Sequence, residues 1–165
     1  MNRKNHMKRR VLLAVILAAA SFAVPAARSH GQNGGTGIGF IVGEPTGISV
    51  KRFLTRDTAL DAGAAWSLLE KSRFHLHADY LFHNFDILKR EFEVSEGELP
   101  LYYGVGVRMR FEDDARFGVR LVAGVSYLFV EAPLDLFFEV APIMDLVPET
   151  EMNGNIGFGF RFWFR

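Results

Sequence analysis

The chain has 165 residues, enough for one domain, with 19 Lys and Arg against 19 Asp and Glu and no cysteine, which excludes a disulfide framework and thiol chemistry. The neutral balance hides an asymmetry: residues 1–26 hold five of the basic residues, Arg3, Lys4, Lys8, Arg9 and Arg10, and no acid, so the remainder carries 14 basic and 19 acidic side chains. A mildly acidic body lacks the electrostatic footprint of a nucleic-acid binder, and no such partner is expected.

The first element is "MNRKNHMKRR", a basic stretch, followed by "VLLAVILAAASFAV", an apolar stretch of 14 residues broken only by Ser21, and by "VPAA", where Val24 and Ala26 are the small residues ahead of a cut. This pattern predicts a secretory signal peptide over residues 1–26, too short to span a bilayer comfortably. Without a cysteine there is no lipid anchor at the cut. Residues 27–35, with "RSHGQNGG", read as a flexible lead-in.

From Thr36 to Arg165 the hydrophobic period is two, which predicts strands. The first covers Thr36–Val42, with Ile38, Phe40 and Val42 on one face. "GEPTG" turns into the second, Ile48–Phe53. The third is Ala59–Leu68, with Leu60, Ala62, Ala64, Trp66 and Leu68 aligned. In the fourth, "FHLHADYLFH", Phe74, Leu76, Ala78, Tyr80 and Phe82 alternate with His75, His77, Asp79, Leu81 and His83. An acidic connection, residues 84–99, follows; it reads either as a prolonged fourth strand or as a loop.

The fifth strand, Leu101–Phe111, sets Leu101, Tyr103, Val105, Val107 and Met109 against Tyr102, Gly104, Gly106, Arg108 and Arg110. The sixth, Phe117–Val130, sets Phe117, Val119, Leu121, Ala123 and Val125 against Gly118, Arg120, Gly124 and Ser126. The seventh, Leu134–Val147, sets Leu134, Leu136, Phe138 and Val140 against Asp135, Phe137, Glu139 and Ala141. The eighth, "NIGFGFRFWFR", sets Ile156, Phe158, Phe160, Phe162 and Phe164 against Gly157, Gly159, Arg161 and Trp163. Short turns rich in Gly, Pro, Asp and Ser join most of them.

Eight alternating strands predict an all-β, antiparallel, up-and-down barrel, but alternation alone leaves open which face is outside. A soluble lipocalin-like barrel puts the apolar face in; a membrane barrel puts it out. Three features favour the membrane reading. The less apolar face is glycine with isolated charges, which suits an interior so narrow that side chains fill it and glycines leave room for long arginines. The apolar face runs over five or six alternate positions, the height of a hydrocarbon band, with Trp66, Tyr80, Tyr103, Tyr127 and Phe164 toward strand ends. A sheet in lipid must close, and a strand at the end of the chain can pair with the first.

"GEPTGISVKRFL", "ALDAGAAWSL", "FHLHADYLFHNF", "LPLYYGVGVRMRF" and "APLDLFFEVAPIMDLVP" together resemble a family of small outer-membrane β-barrels of Gram-negative-type bacteria, known by fold rather than by activity, of the OmpA and OmpW type. The resemblance spans nearly the whole chain after residue 35. It implies an outer-membrane location, surrounding lipid, a monomer, and recognition by the barrel-assembly machinery through the C-terminal strand, although Arg165 follows the Phe164 at which that signal normally ends. It brings no catalytic residues.

The candidate site is the inner face. Arg108, Arg110, Arg120 and Arg161 are expected there with Asp61, Asp79, Glu139 and Asp145 to neutralise them, because buried charges persist only when paired. This predicts a charge-paired plug, or at most a gate in a narrow pore. His75, His77 and Asp79 alternate on one strand at a spacing that could hold a metal, but no fourth ligand can be named, and a hydrogen-bonded polar cluster is the reading adopted. No metal or cofactor is assigned. Ser126 and the histidines stand in no nucleophile-and-base spacing, so no catalytic residue is assigned and no enzyme is expected; a lipid-modifying enzyme and a ligand-binding soluble barrel are the alternatives.

Overall fold

A computed structural model describes residues 34–44, 46–66, 74–88, 97–111 and 115–164. The expected signal peptide, the lead-in up to residue 33, Leu68, residues 89–96 of the acidic connection and Arg165 lie outside them.

The strands are β1 Thr36–Glu44, β2 Thr46–Phe53, β3 Thr58–Trp66, β4 Phe74–Asn84, a two-residue β5 Gly97–Glu98, β6 Leu101–Phe111, β7 Arg116–Phe129, β8 Leu134–Val147 and β9 Glu151–Phe164. All pairings are antiparallel. Leaving β5 aside, each strand pairs with its sequence neighbours, and β9 returns to β1 in a ladder from Thr36 opposite Phe164 to Glu44 opposite Ile156. The sheet is therefore a closed eight-stranded barrel, as the alternation predicts. Among the described residues no helix is long and apolar enough to cross a membrane.

The last strand begins at Glu151, four residues before the expected Asn155. "EMNG" has no apolar alternation to reveal it. Its backbone is held because β8 continues opposite, setting Met152 against Met144 and Glu151 against Asp145. Each of β7, β8 and β9 has 14 residues, whereas β1, β2 and β3 have eight or nine.

The barrel's near end is where β1 begins and β9 finishes, and the acidic connection lies there too. Its start is turned by Asn84, whose Oδ1 accepts the amides of Asp86 and Ile87, each at 3.0 Å. Its finish is tied down by β5, which pairs with Leu128 and Phe129 of β7, and by the Pro100 carbonyl, which accepts the Ser126 amide at 3.0 Å. It is thus a connection in its own right and not a prolonged β4. Phe85 from this connection packs with Phe53, Ala59, Leu128 and Trp163 in a buried apolar cluster under the near end.

At the far end, β9 continues past the end of β1 by residues 151–155. Between the two ends the faces separate by composition. Ile38, Phe40, Ile48, Leu60, Leu76, Tyr103, Val105, Leu121, Phe138 and Phe160 are exposed on the outside. Most of the charged side chains of the strands are buried on the inside.

Candidate functional site

Five cations, Lys51, Arg108, Arg110, Arg120 and Arg161, and five acids, Asp61, Asp79, Asp135, Glu139 and Asp145, are buried among the described residues. A strand's period of two delivers them: apart from Val147 at the end of β8, the exposed apolar residues of each strand sit at the parity opposite to its buried charges. The charges separate into three levels.

The middle level holds Arg161 and Arg120. Arg161 Nη2 donates to both oxygens of Asp61 at 3.2 Å, its Nη1 lies 3.6 Å from Asp135, and its Nε donates to Ser49 Oγ at 2.9 Å. Its guanidinium carbon lies over the Phe137 ring, 3.6 Å from the centroid, a contact that a planar cation makes well. Arg120 Nε is 3.0 Å from Asp79, and its Nη2 donates to Glu139 at 2.8 Å. The other Glu139 oxygen accepts the Tyr102 hydroxyl at 3.2 Å. Each of these arginines therefore serves two carboxylates.

Toward the far end, Arg108 Nη2 lies 2.6 Å from both oxygens of Asp145, and Asn153 donates to the same carboxylate at 2.9 Å. Toward the near end, Lys51 Nζ meets His83 Nε2 at 3.2 Å and lies 4.2 Å from the centre of the Tyr102 ring. The His83 ring packs against Phe53 and Tyr102, at centroid distances of 4.8 and 5.4 Å. The polar interior thus passes into the apolar cluster through one lysine and a set of rings.

Every residue expected on the inner face, Asp61, Asp79, Arg108, Arg110, Arg120, Glu139, Arg161, His75 and His77, is buried inside. Asp145, one of the expected counter-charges, is fully buried with Arg108. Sequence reasoning did not single out Lys51, Asp135, His83 and Tyr102 as site residues. The parity of their strands was the available signal: Asp135 lies four residues before Glu139, and Lys51 lies two before the buried Phe53.

The glycines differ from expectation. They do not open space for the arginines directly. A Cβ at Gly124 would strike the Tyr102 ring, at Gly159 the Phe137 ring, at Gly63 the His77 ring, and at Gly106 and Gly118 the carboxylates of Asp79 and Asp145. The bare backbone lets rings and acids lie close against the wall, and the arginines then fill the centre.

The metal-like spacing also resolves differently. His75 does not join Asp79. Asp61, His77 and Asp79 instead bring one ligand atom each within 4.8 Å of one another, all three residues being buried. Asp61 stands directly opposite Asp79 across the β3–β4 ladder, and His77 lies opposite Gly63. Ser126 is on β7 near the near end, whereas His75 and His77 enter β4 from the far end.

No known protein family matches the chain. No curated protein matches it either. Among solved structures it is similar to the N-terminal β-barrel domain of Pseudomonas aeruginosa OprF, at 18% identity and a TM-score of 0.53, covering 81% of this chain and 99% of that one. The likeness carries the fold alone: a closed eight-stranded antiparallel β-barrel.

Proposed function

We propose that this protein is an integral outer-membrane barrel whose interior is closed by paired charges, with a structural or surface-interaction role in the cell envelope and at most a narrow pore. The observation that carries this reading is the inversion of its two faces. A water-soluble barrel of this size buries its apolar side chains; here ten ionised-type residues fill the inside while Phe40, Leu60, Tyr103, Leu121 and Phe160 stand out. In water so continuous an apolar surface is an aggregation liability, whereas against hydrocarbon it is solvated.

The dimensions support the same reading. Phe74 and Phe82 end the outward stripe of β4, and eight steps along a strand tilted at about 40° rise about 20 Å, close to the height of an outer-membrane apolar band. Rings gather at both margins: Trp66 stands opposite Phe74 at the far one, with Phe111 6.0 Å from Phe74 between ring centres, and Phe82 lies 5.7 Å from Tyr103 at the near one. Such belts form where one side of a ring is wet and the other dry. Residues 1–26 serve as the export signal, the C-terminal strand as the handle for the assembly machinery, and the folded unit as a monomer in lipid.

Closure of the interior rests on two observations: the five-and-five charge balance and the apolar cluster under the near end. Eight strands leave an interior only wide enough for side chains.

Single cysteines at positions 158, 160 and 162 test the placement. In the folded, reconstituted protein they react with a membrane-soluble reagent and resist a charged one. Equal labelling by the charged reagent at all three sites puts these positions in water and removes the membrane reading. Conductance across a planar bilayer tests the plug: stable large openings are incompatible with it.

A further inference from the structure

The geometry points to a divalent-cation site in the middle of the barrel interior, made by Asp61, His77 and Asp79, that takes a borderline ion such as Zn2+. Two carboxylates and an imidazole are a donor set that suits such ions, with remaining positions left to water. Their ligand atoms already lie within 4.8 Å of one another. An ion about 2.0–2.2 Å from each needs them within about 4 Å, a gap that side-chain rotation closes.

Asp79 supplies the independent indication. It is 2% exposed, Arg120 Nε stands 3.0 Å from one of its oxygens, and neither carboxylate oxygen has a hydrogen-bond partner among the described residues. A buried carboxylate without hydrogen bonds is costly. His77, also buried, stands beside it. His77 lines a narrow cavity bounded also by Ile41, Glu44, Arg120, Glu139 and Asn155. Glu44 and Asn155 belong to the far-end margin of the β1–β9 seam, so the cavity leads from that margin to the imidazole, past a carboxylate that attracts cations.

The charges allow an ion to enter. Asp61 and Asp79 are directly opposed across two strands, which is unfavourable for like charges. Each is now answered by an arginine that also holds a second acid: Arg161 holds Asp135, and Arg120 holds Glu139. A cation that takes over Asp61 and Asp79 therefore strands neither guanidinium. Four carboxylates meet two guanidiniums at this level, an excess of negative charge that favours a cation. Lys51, the next cation toward the near end, has its nearest contacts with His83 and Tyr102, and the five-and-five balance holds only over the whole interior. Ser49, which contacts Asp61 at 3.5 Å, then helps to orient that carboxylate behind the metal.

The test uses the full folded chain in detergent micelles, titrated with Zn2+ by calorimetry and with Co2+ by visible absorption. One ion per chain is expected, with Co2+ bands that report a nitrogen ligand. His77→Ala weakens binding by about tenfold or more, and so does Asp79→Asn, whereas His75→Ala leaves it unchanged. His77→Gln, which keeps the side-chain volume, gives the same loss if the alanine variant does not fold. The proposal is overturned if the wild-type chain binds no Zn2+, if His77→Ala and His77→Gln bind it as tightly as wild type, or if the Co2+ spectrum shows oxygen ligands alone.

Discussion

Arg108 and Arg120 are both buried arginines, on the neighbouring strands β6 and β7, yet they are held in opposite ways. Arg108 is bound to one acid, Asp145, whose two oxygens it takes with one nitrogen while Asn153 supports the acid from β9. Arg120 divides its guanidinium between Asp79 on β4 and Glu139 on β8. Arg108 and its acid stand two strands apart, on β6 and β8; Arg120 reaches the adjacent β8 for Glu139 and, past β6, β4 for Asp79. One arrangement has no reserve when an acid is lost, and the other keeps half of its pairing. Equal burial and equal residue type therefore do not mean equal sensitivity, and the number of counter-charges per cation decides the outcome.

Urea midpoints of the reconstituted protein can break this contrast. Asp145→Ala leaves Arg108 without an acid and is expected to cost about 3–5 kcal/mol, the penalty of an uncompensated buried charge. The double variant Asp79→Ala, Glu139→Ala strands Arg120 and should lose a similar amount. Either acid removed singly should cost less, about 1–3 kcal/mol, because the other still holds the arginine. If Glu139→Ala alone costs as much as Asp145→Ala, sharing gives no protection and the contrast fails. Gly159→Leu, which changes no charge, should cost about 1–3 kcal/mol by forcing a side chain into the Phe137 ring beneath Arg161. The smallest effect belongs to Glu151→Ala. Its pair with Arg116 stands at the far end with both side chains partly exposed, at 27% and 53%, so a loss above about 1 kcal/mol would show that solvent does not screen it.

The separation of faces was legible in the sequence because the side-chain period of a strand is two, so Arg108, Arg120, Glu139 and Arg161 could be assigned inward from their neighbours alone. Depth was not legible. Which acid meets which arginine depends on the stagger between strands around the closed ring, and that places Asp61 of β3 with Arg161 of β9, and not with the arginines of β6 or β7. Lys51 was less legible because β2 has only eight residues, with few alternate positions to define its faces. The near-end cluster was hidden for a different reason: Phe85 sits in a connection with no period, and only the tertiary fold carries it under Phe53 and Trp163. The early start of β9 likewise depends on its partner strand and not on "EMNG" itself.

The β1–β9 seam has a consequence for how the chain reaches its folded state. Every other ladder of the wall joins strands that follow one another along the chain and can form as a hairpin or across one connection. The seam joins Thr36 to Phe164, the strand partners farthest apart along the chain among the described residues. Its closure carries the largest loop entropy, so it is the slowest pairing to nucleate and the natural last step of assembly. Until it forms, β1 and β9 are two open edges with unpaired amides and carbonyls, each bearing a row of large apolar side chains, Ile38, Phe40 and Val42 on one and Phe158, Phe160 and Phe162 on the other. Such edges bind other strands indiscriminately. A half-made barrel is therefore at its most adhesive in the moment before it becomes edgeless, and shielding those two strands from other chains is worth more to its yield than stabilising any contact in its finished interior.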